Sequence, residues 1–227
     1  MLYEESKWIS KELLFFFKPG SKILNIGSSS LDMRKKEQPH IQKFIFEVSS
    51  IANIEIVNVD IQDKEGVDIV GDLTSDDFIN QLKSEKYDGI LCSNLLEHLD
   101  NPIKITSSFS KLLSDNGVAI ITVPYNYPYH LDPIDTMLRP TVNELLGLFP
   151  GFKLKKGEIV LARSANKGIF EKNYYQKLKN NPRMLILIFL RFLLPFYKYH
   201  IWKNNFFGIK KLFKSFSATC VVLIKEK

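Results

Sequence analysis

With 227 residues, the chain has the length of one α/β domain that carries an additional segment. Its hydrophobic share of 45% and charged share of 25% are typical of a globular protein with a sizeable core, and they exclude a disordered or fibrous chain. The net charge of +6 is uneven, because residues 170–227 hold twelve Lys or Arg against two acids and the rest is net acidic.

Strand and helix signals alternate along the chain. After an N-terminal helix within 1–19, apolar and β-branched runs predict seven strands, at 21–26, 54–59, 67–70, 89–92, 118–123, 152–162 and 218–224. Helix-start signals predict helices at 74–84, 102–113 and 141–149. The alternation predicts right-handed βαβ units and a mainly parallel sheet.

Polar residues follow several predicted strands at their carboxyl ends, where α/β proteins bind ligands. Gly27 follows the first strand, Asp60 the second and Asp72 the third. The fourth strand is followed by Ser93-Asn94-Leu95-Leu96-Glu97-His98, and the fifth ends in Val123-Pro124. Taken together, these motifs resemble the class I S-adenosylmethionine-dependent methyltransferases, in particular the group that modifies sugars, polysaccharides and lipid precursors.

The resemblance covers about residues 20–165 and 218–225. It implies a single Rossmann-like domain with a doubly wound, mainly parallel seven-stranded sheet. In this division 1–19 form an N-terminal helix, 20–169 the core, 170–217 an apolar and basic insertion, and 218–227 the last strand.

The resemblance also implies S-adenosylmethionine as the cofactor. The Gly27 turn would face its methionine part, Asp60 would accept hydrogen bonds from the ribose, Asp72 would lie near the adenine amino group and Ile61 against the adenine ring. The cofactor-binding residues it implies are Asn25, Gly27, Ser28, Asp60, Ile61, Asp72, Leu73, Ser93 and Asn94. The turn departs from the family pattern, because it has one glycine and Asn25 replaces the usual acid.

The loop 124–140 follows the fifth strand and is rich in aromatic and charged residues. His130 is the candidate general base, because its ordinary pKa lies near neutrality. Asp132 or Asp135 is positioned in sequence to orient that histidine. A packed lid, in which Asp135 pairs with Arg139, is the structural alternative. A metal site at His130, Asp132 and Asp135 matches no ligand spacing, so no metal is predicted.

Four further residues are candidates for acceptor binding: Glu97, His98, Tyr129 and Arg139. Among them, Arg139 is the side chain suited to hold an anionic group of the acceptor. Glu97 and His98 have helix capping as the competing interpretation.

The insertion contains an apolar run at 184–197 that is shorter than a membrane span and is interrupted by Arg191 and Pro195. Aromatic residues and lysines follow it. Two interpretations stay open: a helical lid, or a segment within 184–214 that lies on an anionic membrane surface. Binding to nucleic acid is disfavoured by the aliphatic run. We expect a cytoplasmic protein without a secretory signal, peripheral at the inner face of the membrane if the second interpretation holds.

The sequence therefore predicts an enzyme that transfers a methyl group from S-adenosylmethionine to oxygen of a saccharide or lipid-linked acceptor. The alternative is a non-catalytic methyltransferase-like scaffold or membrane-docking subunit, for which the degenerate Gly27 turn is the main support. A nucleic-acid methyltransferase is the third choice.

Overall fold

The computed structural model describes residues 1–130, 134–162 and 215–226. Contacts divide the chain into one compact unit of Met1–Leu161 with Ser217–Lys227 and a second of Ala162–Phe216, which is described only at its ends. Asp132 and the segment 184–214 lie outside the described residues, so their predicted roles stay predictions. In the described ranges, no helix is both long and apolar enough to cross a bilayer.

One seven-stranded sheet organises the first unit. Its strands are β1 (Lys22–Ile26), β2 (Glu55–Asp60), β3 (Ile69–Val70), β4 (Tyr87–Ser93), β5 (Leu113–Asn126), β6 (Phe152–Ala162) and β7 (Phe216–Lys225). The spatial order is β3-β2-β1-β4-β5-β7-β6. Pairing is parallel from β3 to β5, and β7 runs antiparallel to β5. The predicted fold class, a mainly parallel seven-stranded sheet, is confirmed.

The helices are shorter than the sequence predicts. They are α1 (Tyr3–Phe16), α2 (Pro39–Ile41), α3 (Glu47–Ile51), α4 (Asp76–Leu82), α5 (Pro102–Thr106), α6 (Phe109–Leu112) and α7 (Val142–Leu146). Two π-helical turns, Met33–Glu37 and Gln42–Phe46, and a 3₁₀ turn, Leu96–His98, lie between them.

The single helix predicted at 102–113 is wrong, because the chain breaks it into α5 and α6 at two serines. The hydroxyls of Ser107 and Ser108 donate to the carbonyls of Lys104 and Ile105, at 3.2 and 2.7 Å. Such back-bonding competes with regular helix hydrogen bonding. A helix does begin at the predicted start near residue 141, with a capping box: the hydroxyl of Thr141 accepts from the N–H of Glu144, and the carboxylate of Glu144 accepts from the N–H of Thr141.

Both faces of the sheet are buried, as expected for parallel strands covered by helices on each side. Neighbouring residues of β1 alternate between two core clusters: Ile23 packs in one, Leu24 in the other. Both cysteines, Cys92 and Cys220, are buried free thiols. Burial raises the pKa of each thiol, so both stay protonated.

Helix α1 is held against the sheet by an aromatic residue at its end. The ring of Phe17 lies over Gly89 in β4, and a Cβ on that glycine would lie 2.4 Å from Phe17 Cζ. A side chain at position 89 would displace the ring, and with it the end of α1. The fit matters for the site, because α1 also carries Glu5.

We expect Gly89→Ala to lower the free energy of unfolding by about 1–3 kcal/mol through overpacking. Urea unfolding measures this change. In a Phe17→Ala background the ring is absent, so the same substitution should cost much less. An equal cost in both backgrounds would show that the Phe17 contact is not the cause.

Candidate functional site

A cavity of about 500 Å³ opens at the carboxyl ends of the parallel strands. Its volume is in the range of small-molecule sites. Gly27, Asp60, Asn94 and Pro124, one from the end of each of β1, β2, β4 and β5, line it, and Glu5 from α1 contributes to its wall. The loop after β5 adds Tyr127 and His130.

The turn after β1 requires a glycine. Gly27 has a φ of +70°, and its N–H and that of Ser28 both donate to the carbonyl of Val59, at 2.9 and 3.2 Å. A Cβ on Gly27 would also come within 2.9 Å of Leu95 Cδ1. The backbone therefore carries no side chain at Gly27, where it borders the cavity, and a ligand can approach it closely.

Asp60 links the end of β2 to that turn. Its Oδ2 accepts from the N–H of Ser29 at 2.9 Å, and its Oδ1 accepts from the N–H of Gln62 at 3.0 Å. Because a carboxylate oxygen can accept more than one hydrogen bond, Asp60 retains acceptor capacity toward the cavity. The side chain of Ile61 beside it is 66% exposed and lines the same wall.

Asn25, which stands where the resembled family has an acid, is buried and directed partly across the sheet. Its Nδ2 donates to Asn58 Oδ1 at 3.0 Å, and Asn58 Nδ2 donates to Asp68 Oδ2 at 2.9 Å. The resulting polar chain joins β1, β2 and the approach to β3. An amide suits this position because it donates to one strand neighbour without adding a buried charge.

Five of the described residues predicted from the sequence do not line the cavity: Asp72, Leu73, Tyr129, Asp135 and Arg139. Asp72 accepts from the N–H and hydroxyl of Thr74, both at 2.8 Å, and these bonds lower its pKa. Leu73 packs in the hydrophobic core, and Tyr129 is 57% exposed. The structure thus brings Asn25, Gly27, Ser28, Asp60, Ile61, Ser93, Asn94, Glu97, His98 and His130 to the cavity, without Asp72, Leu73, Tyr129, Asp135 or Arg139.

Sequence reasoning missed Glu5, whose fully buried carboxylate joins α1 to two strand ends. Its Oε1 accepts from Asn94 Nδ2 at 2.7 Å and from Thr122 Oγ1 at 2.6 Å, and its Oε2 accepts from the N–H of Leu2 at 2.8 Å. The last bond places Glu5 at the N3 position of a helix, which is the only local signal available. The two contacts across the fold span 89 and 117 residues.

Glu97 is fully buried beside the cavity. Its main-chain carbonyl accepts from the N–H and hydroxyl of Thr136, at 2.9 and 3.0 Å. Neither of its carboxyl oxygens has a hydrogen-bond partner among the described residues. Desolvation, with the nearby negative charge of Glu5, raises the pKa of Glu97 to about 8, so the carboxyl is largely protonated at neutral pH.

Two histidines meet Glu97 from different elements. His98 Nε2 lies 3.8 Å from Glu97 Oε1, and His98 Nδ1 contacts the carbonyl of Ile134. The rings of His98 and His130 meet edge to face with centroids 5.3 Å apart. One ligand-type atom from each of Glu97, His98 and His130 lies within 4.8 Å of the others. The 3₁₀ turn and the loop after β5 therefore converge on one polar cluster.

Asp135 lies beside His130 and binds Arg139. It accepts from the backbone N–H of His130 at 3.1 Å, whereas the ring Nδ1 of His130 has no hydrogen-bond partner among the described residues. Asp135 Oδ2 lies 3.0 Å from His130 Nδ1, while Arg139 Nη1 and Nη2 donate to Asp135 Oδ1 and Oδ2 at 3.1 and 2.6 Å. Desolvation raises the pKa of Asp135, but hydrogen bonds from Arg139 and from the N–H groups of Met137 and His130 outweigh it and hold the pKa well below its usual range.

Arg139, predicted from the sequence to hold an anionic group of the acceptor, donates to protein partners in this structure. Its Nε donates to the carbonyl of Tyr127 at 3.3 Å, Nη1 also donates to that of Leu138 at 2.9 Å, and Nη2 contacts the sulfur of Met137. With the two bonds to Asp135, these partners use all five guanidinium donors. Arg139 does not line the cavity. Its ion pair with Asp135 is the contact expected if the loop 124–140 is a packed lid.

A family model described as a methyltransferase domain matches residues 6–177. No curated protein sequence matches significantly. A coclaurine N-methyltransferase bound to N-methylheliamine and S-adenosylhomocysteine shares 17% identity, covering 98% of this chain and 70% of its own, with a TM-score of 0.55. The cyclase SpnF shares 13% identity, covering 97% of this chain and 80% of its own, with a TM-score of 0.52.

A third solved structure, phosphoethanolamine N-methyltransferase 2 from Haemonchus contortus, was determined with phosphomonomethylethanolamine and S-adenosylhomocysteine. It shares 13% identity with a TM-score of 0.51, over 96% of this chain. The chain spans 52% of its length, about half. At such low identities these similarities show a common fold.

We expect Arg139→Gln to lower the free energy of unfolding by about 3–5 kcal/mol, because it leaves the buried Asp135 carboxylate without its charged partner. Chemical denaturation measures this loss. Adding Asp135→Asn should recover part of it, since the double variant has no buried charge at this place. A fully stable Arg139→Gln variant would contradict the structural role and restore Arg139 as a candidate for acceptor binding.

Proposed function

We propose that this chain, which belongs to the methyltransferase domain family, transfers a methyl group from S-adenosylmethionine to a hydroxyl oxygen of a saccharide or lipid-linked acceptor. The observation that carries the proposal is that one cavity joins the Gly27 turn and Asp60 to the His130–Asp135 pair. The Gly27 turn and Asp60 suit a nucleoside cofactor. His130 with Asp135 suits an acceptor that must lose a proton.

The cofactor half rests on three neighbouring features. The bare backbone at Gly27 lets a ligand approach the end of β1. Asp60, already fixed by two N–H groups, is an acceptor for the vicinal hydroxyls of a ribose. Ile61 offers an exposed apolar surface against which an adenine ring can lie. This arrangement supports S-adenosylmethionine as the cofactor, the molecule whose demethylated product occupies two of the structural neighbours.

The acceptor half rests on the histidines. Methyl transfer from a sulfonium needs an aligned acceptor, and a hydroxyl must also give up its proton. The imidazole of His130, which lines the cavity with Nδ1 3.0 Å from Asp135 Oδ2, can accept that proton. The saccharide or lipid-linked class of the acceptor rests on the sequence resemblance.

An amine acceptor is the second candidate. It is favoured by the buried carboxyl groups of Glu5 and Glu97 beside the cavity, which suit a hydrogen-bond donor or a cation. A non-catalytic scaffold would lack cofactor affinity, so a cofactor titration separates that alternative from both enzymatic ones.

We expect S-adenosylhomocysteine to bind the full chain, and Asp60→Asn to weaken its affinity by about tenfold or more, because a charged hydrogen-bond acceptor is lost. Isothermal titration calorimetry measures both affinities. Asp72→Asn is the matched control: its carboxylate faces Thr74 outside the cavity, so its affinity should equal that of the wild type. Weakening by Asp72→Asn alone would reverse the cofactor assignment.

We expect His130→Ala to lower methyl transfer by at least about 100-fold while S-adenosylhomocysteine affinity stays nearly unchanged. The assay follows labelled methyl groups from S-adenosylmethionine into extracted glycolipids and nucleotide sugars. His40→Ala is the control, since His40 contacts the carbonyl of Met1 away from this cluster. Wild-type turnover in His130→Ala would remove His130 from the reaction.

A further inference from the structure

We infer that Glu97, His98 and His130 form a binding site for one divalent first-row transition-metal cation on the acceptor side of the cavity. The site's existence is argued from the geometry of these three side chains. Its part in the reaction rests on the proposed function. The site differs from the set His130, Asp132 and Asp135, whose spacing matched no metal-ligand pattern in the sequence.

The three side chains are close enough to share one ion. Their ligand-type atoms lie within 4.8 Å of one another. Ligands about 2.1 Å from a common cation are separated by up to about 4.2 Å, so small side-chain rotations suffice to close the site. Two imidazoles and one carboxylate are a ligand set that suits zinc, iron and related metals.

The surroundings of His98 match those of a metal ligand, and His130 has a buried ring nitrogen without a hydrogen bond from the described residues. A metal-binding histidine usually directs its other ring nitrogen at a carbonyl or carboxylate, which fixes the ring. His98 Nδ1 contacts the carbonyl of Ile134, which leaves Nε2 on the side of Glu97. His130 Nδ1 lies 3.0 Å from Asp135 Oδ2, but it is buried and has no hydrogen-bond partner among the described residues, so this ring keeps a nitrogen available to a cation.

Glu97 supplies the third, independent observation. Both carboxyl oxygens are buried, and the described residues offer neither of them a hydrogen bond. Burying a polar group without a partner is costly, and native proteins rarely retain one without a reason. A cation held with His98 and His130 would give the carboxylate its partner.

Such a cation would activate the acceptor. Three protein ligands leave at least one coordination position open, where an acceptor hydroxyl can bind. The cation lowers the pKa of that hydroxyl, as it does for bound water, and the proton leaves to solvent. The oxygen then forms the new O–CH₃ bond as the S–CH₃ bond breaks, and its electron pair stays on sulfur to give S-adenosylhomocysteine. While His130 binds the cation, the cation takes over the activation of the hydroxyl.

The test is isothermal titration calorimetry, in which Zn²⁺ is added to the whole chain after a chelator has removed bound metal. We expect one Zn²⁺ per chain, and at least about tenfold weaker binding in His98→Ala, His130→Ala and Glu97→Gln. His40→Ala should bind as the wild type does. Cys92 and Cys220 do not compete, because they are buried as protonated thiols. The visible spectrum of bound Co²⁺ should change in the same three variants, and circular dichroism confirms that each is folded.

The inference is overturned if Zn²⁺ does not bind at one equivalent, or if folded His98→Ala and His130→Ala variants bind it like the wild type. The catalytic role of the cation is overturned if methyl transfer proceeds at the same rate in excess EDTA. That result would leave the proposed function intact, with His130 as the base. Conversely, site-specific Zn²⁺ binding without any affinity for S-adenosylhomocysteine would support the metal site and contradict the proposed function.

Discussion

Parallel pairing of β2, β1, β4 and β5 is the constraint on which the rest of the structure depends. Parallel strands all end at the same edge, so residues that are far apart in the chain become neighbours there. The Gly27 turn, Asp60 and the segment around Glu97 owe their proximity to this geometry. The antiparallel β7 lies beside β5 with its amino end at that edge, where Ser217 and Ala218 also line the cavity.

Two buried carboxyl groups, those of Glu5 and Glu97, lie at this edge of the sheet. Glu5 is buried but accepts three hydrogen bonds, whereas the carboxyl of Glu97 is buried beside it without any from the described residues. Asp135, by contrast, is buried and paired with Arg139. The contrast between Glu5, Asp135 and Glu97 marks the acceptor side of the cavity as the place where a ligand would contribute most to stability.

Much of the fold was predictable, because strand runs, turns and caps are local signals. The seven strands follow apolar runs, and Thr141 with Glu144 is readable as a capping box. The site was only partly predictable. No sequence rule shows that the guanidinium donors of Arg139 all bond to other atoms of the protein. None shows that Glu5 contacts Asn94 and Thr122, because these contacts depend on packing across the fold.

The central claim is that one cavity holds the cofactor between the Gly27–Asp60 wall and the Glu97–His98–His130 cluster. A crystal structure of the full chain with S-adenosylhomocysteine tests it most directly. The account predicts ribose hydroxyls hydrogen-bonded to Asp60, the adenine ring against Ile61 and the sulfur directed toward the two histidines. A ligand bound elsewhere, or bound here with the adenine against the histidines, would contradict it.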